Sequence, residues 1–299
     1  MEGQLIRFLY ALIVPMGRLR AGKRGQQFPD YFIALVLLWA AINQRPRCWA
    51  LDMENWHGNC PWCVLPSNAT VSRRSKSYGV WLVLAQLFDL LNSYLSEGLF
   101  KRIDAHPLTV GGASKDPDAK CGFGAGKLAN GYKLHEIRCA GGHFDAWTFS
   151  AMKDKEPVMA PQLLAKLEGG GYISADNAYD INDLYDLAGA AHFQLIAPPH
   201  KDAEGIGHHR HSPWRLHALD MLRNPLRCCG QEQSFYQALL VKRRAIERDF
   251  GHEATCPCCH LGALPFWVRR PHRVGAWILC KLIIWLAVQR LKTKDLRAA

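Results

Sequence analysis

Acidic side chains are in short supply: 26 Asp and Glu stand against 37 Lys and Arg, for a net charge of +11 and a pI near 9.2. Such a balance favours an anionic partner, and nucleic acid is the usual one. Membrane-length apolar runs are also missing. The run from Tyr31 to Ile42 is shorter than the ~20 residues a span needs. Lys281 interrupts the run from Trp277 to Val288. Both read as buried core helices, and no membrane partner is expected. A secretory leader is not evident either, since the apolar stretch from Leu5 to Met16 contains Arg7 and lacks a convincing cleavage site. The 11 cysteines are therefore expected as reduced thiols in the cytoplasm.

What is present is enough for one large domain and a smaller one: 299 residues, 49% of them hydrophobic. Residues 1–97 read as a helical domain. Pro29 and Asp30 open a helix that stops before Pro46. Ser67, after Pro66, is placed to cap a second, short helix carrying Arg73 and Arg74, and a longer helix follows from about Tyr78. Two helices around a short basic turn suggest a helix-turn-helix reader of DNA. A plain helical bundle with a solvated basic corner explains the same residues.

From Gly98 the pattern changes to strands. Leu99–Asp104 is the first, Tyr132–Cys139 the second and Phe144–Met152 the third, with a turn at Ala140-Gly141-Gly142. A helix over 161–167 leads to a strand ending at Asp176. A helix from Ile181 to Ala191, a strand from Phe193, and helices near 234–252 and 274–292 complete the order. A three-strand meander followed by helix, strand, helix and strand is the order of an α/β ribonuclease H-like mixed sheet flanked by helices. Residues 98–299, with the C-terminal helix, are read as that domain.

In this scheme three acids stand out. Asp104 and Asp176 end buried strands, and Glu247 lies on a late helix, with nearly equal spans of chain between them. Any one alone reads as an ordinary surface acid. Together they form a pattern that can hold a pair of Mg²⁺ ions for chemistry at phosphodiesters. Asp116 and Asp118 read as turn residues and Asp180 as a helix cap. Arg243 and Arg244 lie four and three residues before Glu247, either as a phosphate clamp or as intrahelical ion pairs.

Several segments, in order, resemble DDE transposases of bacterial insertion sequences. They are Ile103-Asp104 with Pro107, Gly111 through Lys115-Asp116 and Asp118, and Gly131-Tyr132-Lys133-Leu134-His135. Asp176 through Tyr179-Asp180, Arg243-Arg244 through Glu247 and Phe250-Gly251, and Leu264-Pro265 with Val268-Arg269-Arg270 follow. Leu240 and Ala254 stand where relatives often carry a Tyr and a basic residue. The resemblance implies a transposase that cleaves at element ends and joins the 3′-hydroxyl to target DNA. It implies catalysis by Asp104, Asp176 and Glu247 with two Mg²⁺ ions, and DNA contacts at Arg73, Arg74, Lys133, Arg243 and Arg244. The partner would be double-stranded DNA, both terminal repeats and target, held by a homodimer. A non-catalytic DNA-binding derivative and a nuclease on the same fold are the alternatives.

Two cysteine groups raise a zinc reading. Cys60 and Cys63 sit near His57, and Cys256, Cys258, Cys259 and His260 form the second group. Structural zinc requires the two groups to meet in space, and reduced thiols are the simpler expectation. Trp214, Trp267, Trp277 and Trp285 offer faces for stacking a base, although Trp277 and Trp285 read first as core.

Overall fold

A computed structural model describes residues 1–18, 27–111, 114–124, 126–139, 141–199, 211–223, 225–228, 231–241 and 258–298. The chain divides by internal packing into two units. One comprises Met1–Tyr94, Val110–Asp118 and Glu253–Ala299, the other Leu95–Thr109 and Ala119–His252.

The first unit is helical. Its elements are α1 (Glu2–Arg18), α2 (Asp30–Ile42), α3 (Asn68–Arg74), α4 (Tyr78–Asn92) and a C-terminal helix (Pro271–Ala298). Ten of the thirteen residues of α2 are buried, as befits a helix apolar all round. It packs against α1, α4 and the C-terminal helix. Ser67 caps α3 as expected, its hydroxyl accepting from the Thr70 amide at 3.2 Å.

The C-terminal helix belongs to this unit, not to the sheet domain with which the sequence reading grouped it. By length and composition, Pro271–Lys292 would suffice to cross a membrane. Instead, every residue from Ile278 to Val288 is buried in protein. Lys281 lies inside that run with its ammonium satisfied: it donates to the Ala41 carbonyl at 2.8 Å and to the Cys258 carbonyl at 2.7 Å, and lies 5.1 Å from the Trp277 ring centroid. A buried charge persists only with such compensation.

The second unit is built on a mixed sheet. Its strands are β1 (Phe100–Val110), β2 (Lys120–Gly124), β3 (Lys127–Cys139), β4 (Phe144–Ala151), β5 (Gly171–Ser174) and β6 (Phe193–Ile196). Their order across the sheet is β4-β3-β1-β5-β6, with β2 against the start of β3. The β1–β3 and β3–β4 pairs are antiparallel, whereas β1–β5 and β5–β6 are parallel. Gly142, with φ of 83°, makes the tight turn before β4.

Helices α5 (Glu156–Leu164), α6 (Asn182–Ala190) and α7 (Pro213–Arg223), and a helical stretch over 235–241 (α8), accompany the sheet. Ile103, Ile137, Ile173, Leu195, Leu163 and Leu184 share the core beneath them. Strands β1 and β3 extend well beyond their expected ends because their mutual pairing runs on from Lys101↔Cys139 to Thr109↔Gly131. A short hairpin of β7 (Pro225–Cys228) and β8 (Gln231–Ser234) occupies chain that the sequence reading left as loop.

Candidate active site

The parallel pairing of β1 with β5 sets the site. Its last paired couple is Arg102↔Ser174. Two residues further on, β1 carries Asp104, while Asp176 lies just beyond the end of β5, where it caps a short 3-10 turn. Adjacent strands lie ~4.8 Å apart, so the pairing brings the two acids to the same end of the β1–β5 pair. Across the antiparallel side, Asp104 stands directly opposite Glu136, on the same face of the sheet.

Each carboxylate is held locally. Asp104 Oδ1 accepts from the Ala105 amide at 2.8 Å, and its Oδ2 lies 3.9 Å from Arg102 Nε. Its side chain is 24% exposed, which leaves it open to a ligand. Asp176 Oδ1 accepts from the Ala178 amide at 2.9 Å, fixing the turn that follows β5.

Two further acids reach this place, and the sequence reading missed both. Glu156 opens α5, and Lys133 Nζ lies 3.3 Å from its Oε1. Burial raises the Glu156 pKa. Lys133 opposes the rise, while Asp176 and Asp104 add to it. Glu156 thus feels both strand acids at once, an electrostatic mark of convergence. Glu136 is 1% exposed. Burial pushes its pKa up, against Arg138, whose Nη1 is 3.3 Å away, and Arg102, whose Nη2 is 3.9 Å away; Asp104 adds to the rise. Glu136 Oε2 is buried and accepts no hydrogen bond. The alternation of Glu136 with Arg138 on an otherwise buried strand was the available signal. Glu156, a lone acid before a proline, offered none.

The remaining candidates fall into three groups. Lys133 is inside the site, tied to Glu156. Arg73 and Arg74 lie at the end of α3 in the helical unit. Arg73 is exposed, whereas Arg74 is ion-paired with Asp30 at 2.5 Å and donates to the Phe28 carbonyl. Glu247, Arg243 and Arg244 lie outside the described residues, as does Cys256. Among the described residues, no three His, Cys, Asp or Glu side chains are grouped to hold a metal ion. Neither cysteine group therefore makes a zinc site from its described members.

The competing acids have structural partners. Asp116 Oδ2 accepts from the Arg270 amide at 3.0 Å, and Asp118 is 3.3 Å from the Arg270 guanidinium. Asp180 is not the cap of α6. It receives Arg215 through two hydrogen bonds, of 2.7 and 2.9 Å, and Ile181 stands at the α6 N-cap without a side-chain bond.

No family model and no curated protein matches the chain. Among solved structures, the chain is similar to a piggyBac transposase synaptic complex with hairpin DNA. That match has a TM-score of 0.47 and 10% identity, and covers 98% of this chain and 73% of the other.

Proposed function

We propose that this protein is a DDE transposase with a ribonuclease H-like catalytic domain, which cleaves phosphodiesters at element ends and joins the freed 3′-hydroxyl to target DNA. The observation that carries this reading is the parallel pairing of β1 with β5, which ends at Arg102↔Ser174, two residues before Asp104 and Asp176. The strand order β4-β3-β1-β5-β6, antiparallel on one side of β1 and parallel on the other, supports the fold. The resemblance to transposases of bacterial insertion sequences supplies the activity.

The donor set is made of carboxylate oxygens, the hard ligands that Mg²⁺ prefers. The crowding of Glu156 by Asp104 and Asp176 gives a cation a negative field to relieve. Asp104 and Asp176, joined by Glu247, would hold two Mg²⁺ ions, which neutralise phosphate charge and acidify water when bound. Asp104 is oriented by the Ala105 amide and Arg102. The turn after β5 does the same for Asp176. Glu136, between Arg102 and Arg138, holds the two arginines apart on the floor of the site. Lys133 stands at its edge as a phosphate contact, held by Glu156 when no DNA is present. Arg73, Arg74, Arg243 and Arg244 complete the DNA contacts, and a homodimer brings two ends together in the cytoplasm.

A plasmid nicking and strand-transfer assay with Mg²⁺ tests the proposal. Wild type should give joined products, and Asp104→Asn and Asp176→Asn should give none. Hydrolysis without joining would indicate a nuclease. Equal nicking by wild type and both variants would sink the enzyme reading. Melting curves provide an independent readout: Mg²⁺ should raise the wild-type Tm and leave that of Asp104→Asn unmoved.

A further inference from the structure

The helical unit contains a cavity of about 240 Å³, walled by α2, α3, the segment after α2 and the start of the C-terminal helix. That volume is slightly below the ~300–1,000 Å³ of sites for drug-sized ligands, so it suits one small moiety. Six of its residues define its chemistry: Arg45, Arg47, Arg273, His272, Trp267 and Trp277.

The cationic groups have no acid among them. Arg47 donates to Asn68 Oδ1 at 3.2 Å and to Ser72 Oγ at 2.9 Å, both neutral. Among the described residues, neither Arg45, Arg47 nor Arg273 takes part in an ion pair. The positive field is felt locally. His272 has a lowered pKa, first from burial and then from Lys76, Arg273, Arg47 and Arg270. Arg47 is itself depressed, by burial and then by Arg273. Asp30 and Asp118 are engaged elsewhere, by Arg74 and Arg270.

The aromatic wall adds two indoles, Trp267 and Trp277. Nε1 of Trp267, Nε1 of Trp277 and Nε2 of His272 are buried and have no hydrogen-bond partner. Buried polar groups are normally paired, and each exception calls for an explanation. Arginines recognise phosphate through forked hydrogen bonds, and indole faces stack nucleobases.

We infer that this cavity binds one nucleotide, its phosphate on Arg47 and Arg273 and its base against Trp267 and Trp277. The ligand comes either as a free mononucleotide or as a single unpaired nucleotide of a DNA strand. The inference does not depend on the catalytic reading, because the cavity shares no residue with the acidic site.

Calorimetric titration of the full chain in EDTA tests it, since chelation silences any metal-dependent step. The probes are dAMP, deoxyadenosine, inorganic phosphate, and a short duplex with or without one unpaired nucleotide. At least one nucleotide-bearing probe should bind more tightly than phosphate or nucleoside alone. Arg273→Glu, at an exposed position at the start of the helix, should weaken that binding at least tenfold while keeping the wild-type circular dichroism. Trp267→Leu should remove the preference for nucleotide over phosphate. Tenfold sensitivity confined to dAMP identifies a free nucleotide as the source; sensitivity confined to the unpaired duplex identifies DNA. Absence of binding, binding fully accounted for by phosphate, or binding unchanged in Arg273→Glu would overturn the inference.

Discussion

The sheet unit and the helical unit concentrate opposite charges in opposite ways. At the sheet, Asp104, Glu136, Asp176 and Glu156 are drawn together by strand register and a helix start, with Arg102, Arg138 and Lys133 interleaved. In the helical unit, Arg45, Arg47 and Arg273 gather around a cavity with no interleaved acid. The acidic site is compensated within the protein, and only its outermost carboxylates are open to a cation. The basic site has no acid in its lining and no ion pair at these arginines among the described residues, which suits it to an anionic ligand.

The largest effect should follow from breaking the acidic side. Asp104→Asn or Asp176→Asn should lower strand-transfer rates by about 10³-fold or more, which is about 4 kcal/mol in barrier, measured by joined product against time. Nucleotide binding in the helical unit should not change. Next comes the internal compensation. Glu136→Ala removes the acid between two buried guanidinium groups, and should cost about 3 kcal/mol of stability in chemical denaturation.

Acid should then separate the two units further. Burial, with Lys133, pulls the His135 pKa down to about 4 from an ordinary 6.5. The unfolded chain therefore binds a proton that the folded chain refuses, so stability falls as pH drops from 6.5 toward 4. The loss between pH 7 and 5 should be about 2 kcal/mol. A His135→Gln variant should lose that slope in denaturation midpoints taken across the same range. The smallest change belongs to the helical unit. Ser67→Ala removes the cap of α3 and should cost about 1 kcal/mol, read as a lowered Tm.

Much of the sheet could be read from the sequence because strand ends there are marked. Asp176 ends an apolar run that follows three glycines, and Gly142 sits where a tight turn is needed. Asp104 is expected to end its strand, but β1 runs on to Val110 because its pairing with β3 continues to Thr109↔Gly131. The partners of these two acids could not be read. Glu136 is inside a strand buried on both faces, so its environment comes from Arg102, 34 residues earlier on a paired strand. Glu156 joins the site only through the placement of α5. The cavity in the helical unit was beyond reach for the same reason, since Arg47 and Arg273 come from opposite ends of the chain. The C-terminal helix showed its apolar character but not its partner, because an all-round apolar helix carries no face that points to one.

That last helix also sets an order of events during synthesis. The Lys281 ammonium grips the carbonyl of Ala41, 240 residues upstream, and the helix fills the space between α1, α2 and α4. On the ribosome, the apolar α2 must wait for residues 271–288 to emerge before its final covering arrives. The strands β1 to β6, which lie between residues 100 and 196, can pair first. Until the C-terminal helix is made, α2 lacks one of its helical partners and keeps apolar surface exposed.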